Sequence, residues 1–546
     1  MFGFQGLGKV GALGWASLAT ACLVLLPILA VVGTAAGSGV ATWIHLAGTV
    51  LPGYVANTGL LLLGVAWGVV SMGVLSAWLV TTYRFPLQRQ LEWALVLPLA
   101  MPAYVMAYAY TDWLQFTGPV QTALRSLTGL QAREYWFPEI RSLWGAAAML
   151  SFALYPYVYL IARTAFRDVS RSALEAGRLA GHSAWQCFWK VAVPLARPAI
   201  AAGAALALME TLADFGTVSY FGVEVLTTAI YKAWLSMNDA AAAGQLSVCL
   251  LAFVVVVLAI ERANRGRAAY HSASRKPVAP VVLRGGKAWL ALAACAAPVA
   301  FGFIVPAAIL LQYALVDPDA RWTSRLNALV GNSVVVALAA AVAGTLLATS
   351  MAYAARASRA PAVRIANRVA ALGYAVPGAV IAVGILVPLG RFDNWLGAWI
   401  EAWTGERTGL LITGTVAALV YAYVARFLAV ALQTMEAGLA RITPAMDDAA
   451  RSLGASPAAA LARVHAPLLA SSVATAALLL FVDVMKELPA TFALRPFNFD
   501  TLAVETYNLA KDERLAEAAL PSLMIVAVAL LPLVFVSKRY FQATRS

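Results

Sequence analysis

Four acids stand inside long apolar stretches of this chain: Glu210 and Asp214, then Asp483 and Glu487, each member of the second pair 273 residues after its counterpart. Within each pair the carboxylates are four residues apart, which on a helix puts them on one face. Oxygen donors suit hard cations, so the set reads as a carboxylate ladder for a trivalent ion. It reads equally as polar pairing between helices, with Lys486, beside Asp483 and Glu487, as the nearest partner. A charge at the centre of a bilayer costs about 2.5–3.5 kcal/mol on insertion scales, so either way these groups face protein or water. Gly216 and Pro489 follow at the same offset of 273. Such breakers mark a bend in both places and favour a gate or translocation path over direct metal contact, so no residue is assigned as a metal ligand.

The other candidates for chemistry are weaker. Tyr104, Tyr108 and Tyr110 offer phenol oxygens but fall where tyrosines anchor a span at the membrane interface. His45, His182, His271 and His465 show no ligand spacing, and His182 and His465 read as solvated surface residues. Cys22, Cys187, Cys249 and Cys295 form no Cys-x-x-Cys pair, so neither disulfides nor zinc are indicated. Gly8-Lys9 and Gly286-Lys287 lack the rest of a phosphate-cradling loop, so no catalytic residue and no cofactor is assigned to this chain.

Elements that cross a membrane must position these residues. Of 546 residues, 62% are hydrophobic and 12% charged. A span needs roughly 20 apolar residues. Twelve stretches qualify, near 15–37, 56–82, 91–112, 143–166, 195–218, 243–261, 288–315, 330–355, 366–390, 409–433, 468–492 and 519–537. All should be helices, because backbone facing lipid must satisfy its own hydrogen bonds. Lys9 ahead of the first stretch suggests a cleaved signal peptide, but the apolar run is too long for one and removing it leaves eleven spans.

With the amino terminus in the cytoplasm, most of the 39 Lys and Arg fall on the cytoplasmic side, densest at Arg262, Arg265, Arg267, Arg275, Lys276, Arg284 and Lys287. The positive-inside rule therefore accounts for the net charge of +13, and no nucleic-acid partner is needed. Both termini are then cytoplasmic.

The chain repeats itself. Asn57 pairs with Asn332, Arg84-Phe85-Pro86 with Arg359-Ala360-Pro361, and Pro102 with Pro377, all 275 apart; farther on the offset is 273. Unequal outer segments, 113–142 against 391–408, explain the change and are rich in aromatics (Trp113, Tyr135, Trp136, Trp395, Trp399) that suit a receptor surface or an aromatic belt. The expected fold is all-α and integral to the membrane: twelve helices as two tandem six-helix repeats around a pseudo-two-fold axis along the membrane normal. Residues 1–262 and 288–546 are the two permease domains, and 263–287 is a basic cytoplasmic linker.

Between the fourth and fifth span of each repeat lies one signature, in two copies. Glu175-Ala176-Gly177, Gly181, Val191 and Pro194 match Asp448-Ala449-Ala450, Gly454, Val464 and Pro467 with every spacing kept. The alanine-rich opening predicts a short helix, the glycine its left-handed end, and the proline the return into the membrane. The bland reading is an amphipathic helix on lipid headgroups, but two identically spaced copies favour a docking element. The pattern resembles the loop by which importer permeases of the ABC class dock on their ATPase subunits.

The runs Met209-Glu210-Thr211-Leu212-Ala213-Asp214-Phe215-Gly216-Thr217-Val218-Ser219-Tyr220-Phe221-Gly222, Lys486-Glu487-Leu488-Pro489-Ala490-Thr491 and Arg495-Pro496-Phe497-Asn498-Phe499-Asp500-Thr501-Leu502-Ala503 resemble the fused permease of ferric iron importers. That resemblance implies a bacterial inner-membrane subunit, a periplasmic binding protein delivering Fe(III), and two ATP-binding cassette subunits that carry ATP and magnesium. Fused permeases for thiamine, polyamines or phosphonates share the outline. From a different class, an ion-coupled secondary transporter would use the four acids but leaves the twin docking signatures without a role.

Overall fold

The computed structural model describes residues 11–37, 39–131, 134–168, 176–265, 281–358, 360–454, 459 and 461–543. Glu175, His271, Arg359 and residues 266–280 of the linker lie outside this set. Among the described residues helices dominate, beside one two-residue parallel strand pair, Tyr83–Arg84 with Val281–Val282. Among the described residues eleven helices are long and apolar enough to cross a membrane, and a bent pair, Gln88–Ala100 with Ala103–Thr128, makes a twelfth if counted as one span. In that count the fifth span is Trp185–Ala213 and the eleventh Arg463–Met485.

Two of the expected spans are not plain helices. The third turns by 93° between its two parts, and the ninth begins only at Gly378, running to Thr404, because a 3₁₀ turn at Ala371–Ala375 and an extended residue precede it. Proline is the cause in both. It disfavours helix in the residue before it, and Met101 and Val376 are extended (φ −96, ψ 108; φ −86, ψ 122) ahead of Pro102 and Pro377. Each proline then opens the next helix at nearly the same geometry, φ −59 and ψ 137 against φ −58 and ψ 142.

Packing divides the chain into two units that differ from the sequence repeats. One unit is Met1–Trp43, Ile230–Val248 and Thr323–Glu505; the other is Ile44–Ala229, Cys249–Trp322 and Thr506–Ser546. The first span of the chain (Ala12–Gly37) therefore packs mainly among helices of the second repeat, and the seventh (Gly286–Val316) among helices of the first together with the last helix, Leu515–Ala543. Small residues allow the close approach, as in membrane bundles generally. A Cβ on Gly384 would come 2.2 Å from the Pro27 carbonyl oxygen, and one on Gly203 would come 2.7 Å from Val158 Cα in the other unit.

A paired latch recurs in the two units. Asn57 donates to the Glu224 carbonyl (2.8 Å) while the neighbouring Thr58 hydroxyl accepts from Leu226 N–H (3.1 Å). Asn332 and Ser333 do the same to the Asp500 carbonyl (3.0 Å) and Leu502 N–H (2.8 Å). Each latch holds the returning loop against the start of its second or eighth span. It satisfies backbone groups that lipid could not.

Candidate functional site

Where they are described, the two segments expected to dock a partner fold much as their residues require. Ala176 to Leu179 are helical, Gly181 sits at φ +85, and the N–H groups of Gly181 and His182 close the turn on Arg178 and Gly177 carbonyls, both at 3.0 Å. The second copy is the helix Pro444–Ser452, ending in Gly454 at φ +78. Gly177 is buried, and a side chain there would meet Cys187 Sγ at 3.2 Å and Val191 at 3.3 Å. Two signature positions, 177 and 191, thus touch. Ala450, which matches Gly177, is also buried, whereas Ala176, Asp448 and Ala449 are exposed.

A feature the sequence did not announce joins each segment to its span. Phe188–Ala192 and Leu461–His465 are π-helical turns at the same offset of 273, and the following helices, Val193–Ala213 and Ala466–Met485, carry Pro194 and Pro467 at their first turns. A third π turn, Ala300–Ile304, likewise precedes Val305-Pro306. Proline cannot donate to the carbonyl a turn back and crowds it, and a widened turn relieves that clash. The prolines were the legible signal. His465, expected in solvent, is buried with its ring 5.8 Å from that of Tyr353.

At the far ends of those spans the acids take up unequal places. The helix of the fifth span stops at Ala213 and that of the eleventh at Met485, so Asp214 and Glu487 lie beyond the helical face on which Glu210 and Asp483 stand. The expected shared face is therefore broken. A short helix restarts in each case, Gly216–Tyr220 and Pro489–Leu494. Asp214 accepts from the N–H groups of Thr217 (3.1 Å) and Val218 (3.2 Å) and from the Thr217 hydroxyl (2.9 Å). Glu487 accepts from the N–H groups of Ala490 (2.9 Å) and Thr491 (3.0 Å) and from the Thr491 hydroxyl (2.7 Å).

Both carboxylates accept from the first N–H groups of a short helix among mostly buried residues, groups with no intrahelical partner, and negative charge there suits the helix dipole. Pro489 is then no kink but a first-turn residue with no N–H to leave orphaned. Gly216 holds the matching place.

The surroundings of the two caps differ. Glu487 also accepts from Arg426 at 2.8 Å, both side chains buried, while Lys486 pairs with Asp483 at 2.9 Å. Gly378 makes room for the buried pair, since a Cβ there would stand 2.6 Å from Arg426 Nη1 and 2.9 Å from Glu487 Oε1. Around Asp214 no arginine takes that place; Ala153 stands where the repeat would put it. Tyr104, Tyr108 and Tyr110, expected at the membrane interface, are buried instead. Trp136, Trp395 and Trp399 of the outer segments are exposed. Among the described residues no cluster of three or more His, Cys, Asp or Glu could hold a metal ion.

The family described as binding-protein-dependent transport system inner membrane component matches residues 69–265. Along most of its length the chain is similar to the Fe(3+)-transport system permease protein FbpB 2 of Haemophilus influenzae, 26% identical over 492 residues and 89% of either chain. The putative molybdenum transport system permease protein YvgM of Bacillus subtilis is 30% identical over 179 residues, 31% of this chain and 75% of that one. The sulfate transport system permease protein CysT of Escherichia coli is 27% identical over 194 residues, 34% of this chain and 67% of that one.

Proposed function

We propose that this chain, which belongs to the family of binding-protein-dependent transport system inner membrane components and is a permease subunit of that kind, carries Fe(III) across the bacterial inner membrane. The observation that carries the cargo assignment is the extent of similarity. A ferric permease of Haemophilus influenzae matches through both repeats, whereas the sulfate and molybdenum permeases, shorter chains matched over 67% and 75% of their own length, cover about a third of this one.

The geometry supports an ATP-driven mechanism of two levers. Each docking segment, Glu175 to Pro194 and Asp448 to Pro467, receives one ATP-binding cassette subunit on the cytoplasmic side, where ATP and magnesium are held by the partner. From Val193 to Ala213 is a helix of 21 residues, about 31 Å at roughly 1.5 Å per residue, close to the thickness of the hydrocarbon layer. Movement at its docking end therefore reaches the Asp214-capped break at the other, and the eleventh span repeats the arrangement to Glu487. The candidate path or gate is Glu210, Asp214 and Gly216 in one repeat and Asp483, Lys486, Glu487 and Pro489 in the other. A periplasmic binding protein delivers the ion on the opposite face, and lipid surrounds the bundle. An ion-coupled carrier loses its main support, because both capping acids are engaged by backbone donors.

The test is uptake of radioactive iron by proteoliposomes containing the purified complex, its Fe(III)-loaded receptor and ATP on the ATPase side. Uptake should require ATP, and reversing charge at Glu175 and Asp448 together should release the ATPase subunits from the purified complex and abolish transport. Iron uptake that persists with no ATPase subunit present would falsify the mechanism, and uptake only of a receptor-delivered oxyanion would reassign the cargo.

A further inference from the structure

Two tyrosines cross between the repeats. Tyr231 closes the helix Leu226–Tyr231, which follows the first latch, and Tyr507 lies in the helix Leu502–Lys511, which follows the second. They stand 276 residues apart, the spacing that also relates Glu224 to Asp500 and Leu226 to Leu502 in the latches, and so are counterparts. Each bonds to the restarted helix of the opposite repeat. The buried Tyr231 donates its hydroxyl to the Pro489 carbonyl, with its ring 6.2 Å from that of Phe492. The buried Tyr507 shares a hydrogen bond of 2.7 Å with the Ser219 hydroxyl, and its ring stands 5.6 Å from that of Phe215. Ser219 and Phe492 are equivalent positions, 273 apart, so the crossing is symmetric. Tyr231, Pro489 and Phe492 belong to one packing unit, and Tyr507, Ser219 and Phe215 to the other.

The chain between each restarted helix and the tyrosine that follows it is short and braced. From Gly216–Tyr220 onward, Val223 N–H returns to the Val218 carbonyl (2.8 Å), and the Thr228 hydroxyl accepts from Val225 N–H (3.0 Å). From Pro489–Leu494 onward, Arg495 N–H returns to the Thr491 carbonyl (3.0 Å), Arg495 pairs with Asp500, and Glu505 N–H returns to the Thr501 carbonyl (2.9 Å). The path therefore closes on itself. The first restarted helix leads along the chain to Tyr231, which holds the second; the second leads to Tyr507, which holds the first.

We infer that Tyr231 and Tyr507 are positioning residues that tie the two restarted helices together, so that the breaks at the ends of the fifth and eleventh spans change place in one step. Contiguous hydrogen bonds of this kind carry coupling between sites. A state with one helix moved and the other not would break a bond at a buried tyrosine, and such a bond is costly to leave unmade. The inference rests on the two-lever reading: levers driven at separate docking segments need a means of staying in step, and the crossed tyrosines supply it at the ends of the spans away from the motor.

The experiment disturbs one helix and reads the other, in the complete complex with its ATPase subunits. Asp214→Ala uncaps the first restarted helix, and Ala493→Cys, at a partly buried position of the second, reports through its rate of reaction with a water-soluble maleimide, followed at that residue by mass spectrometry. Asp214→Ala should change the rate by roughly 2–10-fold, the factor that a cap or a hydrogen bond is worth. With Tyr231→Phe and Tyr507→Phe together the response should all but vanish, since only coupled residues depart from additivity. Ser219→Ala in place of Tyr507→Phe removes the same bond from its other side and should act alike. A reporter indifferent to Asp214→Ala, or equally responsive with and without the two hydroxyls, overturns the coupling. In proteoliposomes the double Phe variant should still hydrolyse ATP but move roughly 2–10-fold less iron per ATP; the wild-type ratio overturns the role in transport. Charge reversal at Glu175 and Asp448 bears on the levers alone, so failure of the levers and failure of the coupling are distinguishable.

Discussion

The two places where a membrane helix stops and restarts, after Ala213 and after Met485, share a backbone and differ in company. At each an acid caps the third and fourth residues beyond it. Around Glu487 the environment supplies a buried arginine; around Asp214 it supplies phenols. The backbone event has only one economical solution among buried residues, an acceptor for orphan N–H groups, and so it recurs. The side chains around it answer to something other than the fold.

The same division appears deeper in each unit. Arg163 Nε donates to Glu92 at 3.0 Å, and the matching positions 436 and 367 are linked as Asn367 to Glu436 at 3.2 Å. A polar bridge is kept; its charges are not.

The largest expected effect sharpens the contrast. Arg426→Leu leaves Glu487 buried without its counter-ion and should cost about 3–5 kcal/mol, read as a lowered unfolding temperature of the detergent-solubilised complex. Adding Glu487→Gln should recover much of that, because the amide oxygen still caps the short helix. If the double variant is no better than the single, the pair is not what the charge of Glu487 depends on.

Gly378→Ala comes next. The added methyl would press on Arg426 and Glu487 together and should destabilise by about 1–3 kcal/mol, while Ala103→Gly at the matching place in the first repeat should cost far less. Equal losses at the two sites would break the comparison.

Smallest is Asp214→Ala, expected to cost about 1 kcal/mol as the loss of a helix cap, with Asp214→Asn nearly neutral in stability. Thermal denaturation of both variants checks the order. A large loss in Asp214→Asn would mean the charge itself, not only the acceptor, is needed for folding.

How much of this was legible varies by the range of the interaction. Gly181 and Gly454 adopt the left-handed conformation expected of them, because a helix ending at a glycine is settled by a few neighbouring residues. The pairing of Lys486 with Asp483 was open to view for the same reason. The stop before Asp214 was hidden, since apolar residues continue through it to Val218, although Asp is itself among the residue types that open helices. Arg426 went unread within Val424-Ala425-Arg426-Phe427-Leu428, where an isolated charge in an apolar run signals a partner elsewhere in the chain. The tyrosines were misplaced because an apolar helix does not reveal which of its faces meets lipid. For the same reason the packing of the first span among helices of the second repeat could not be foreseen.

That exchange sets a timetable for biosynthesis. When the opening helix leaves the ribosome its main partners do not exist: the Ala240–Arg265 helix, whose Gly244 lies against Thr34, comes first, and the residues from Gly37 to Ser324 must be translated before the first of the larger contacts, the Ser324–Ala357 helix, emerges. At about 5–20 residues per second that is a wait of roughly 15–60 s before the helix meets most of its neighbours. A newborn chain halted near its middle would therefore hold one helix without most of its partners and another, Gly286–Val299, already seated, so the fused polypeptide completes its two packing units late and together.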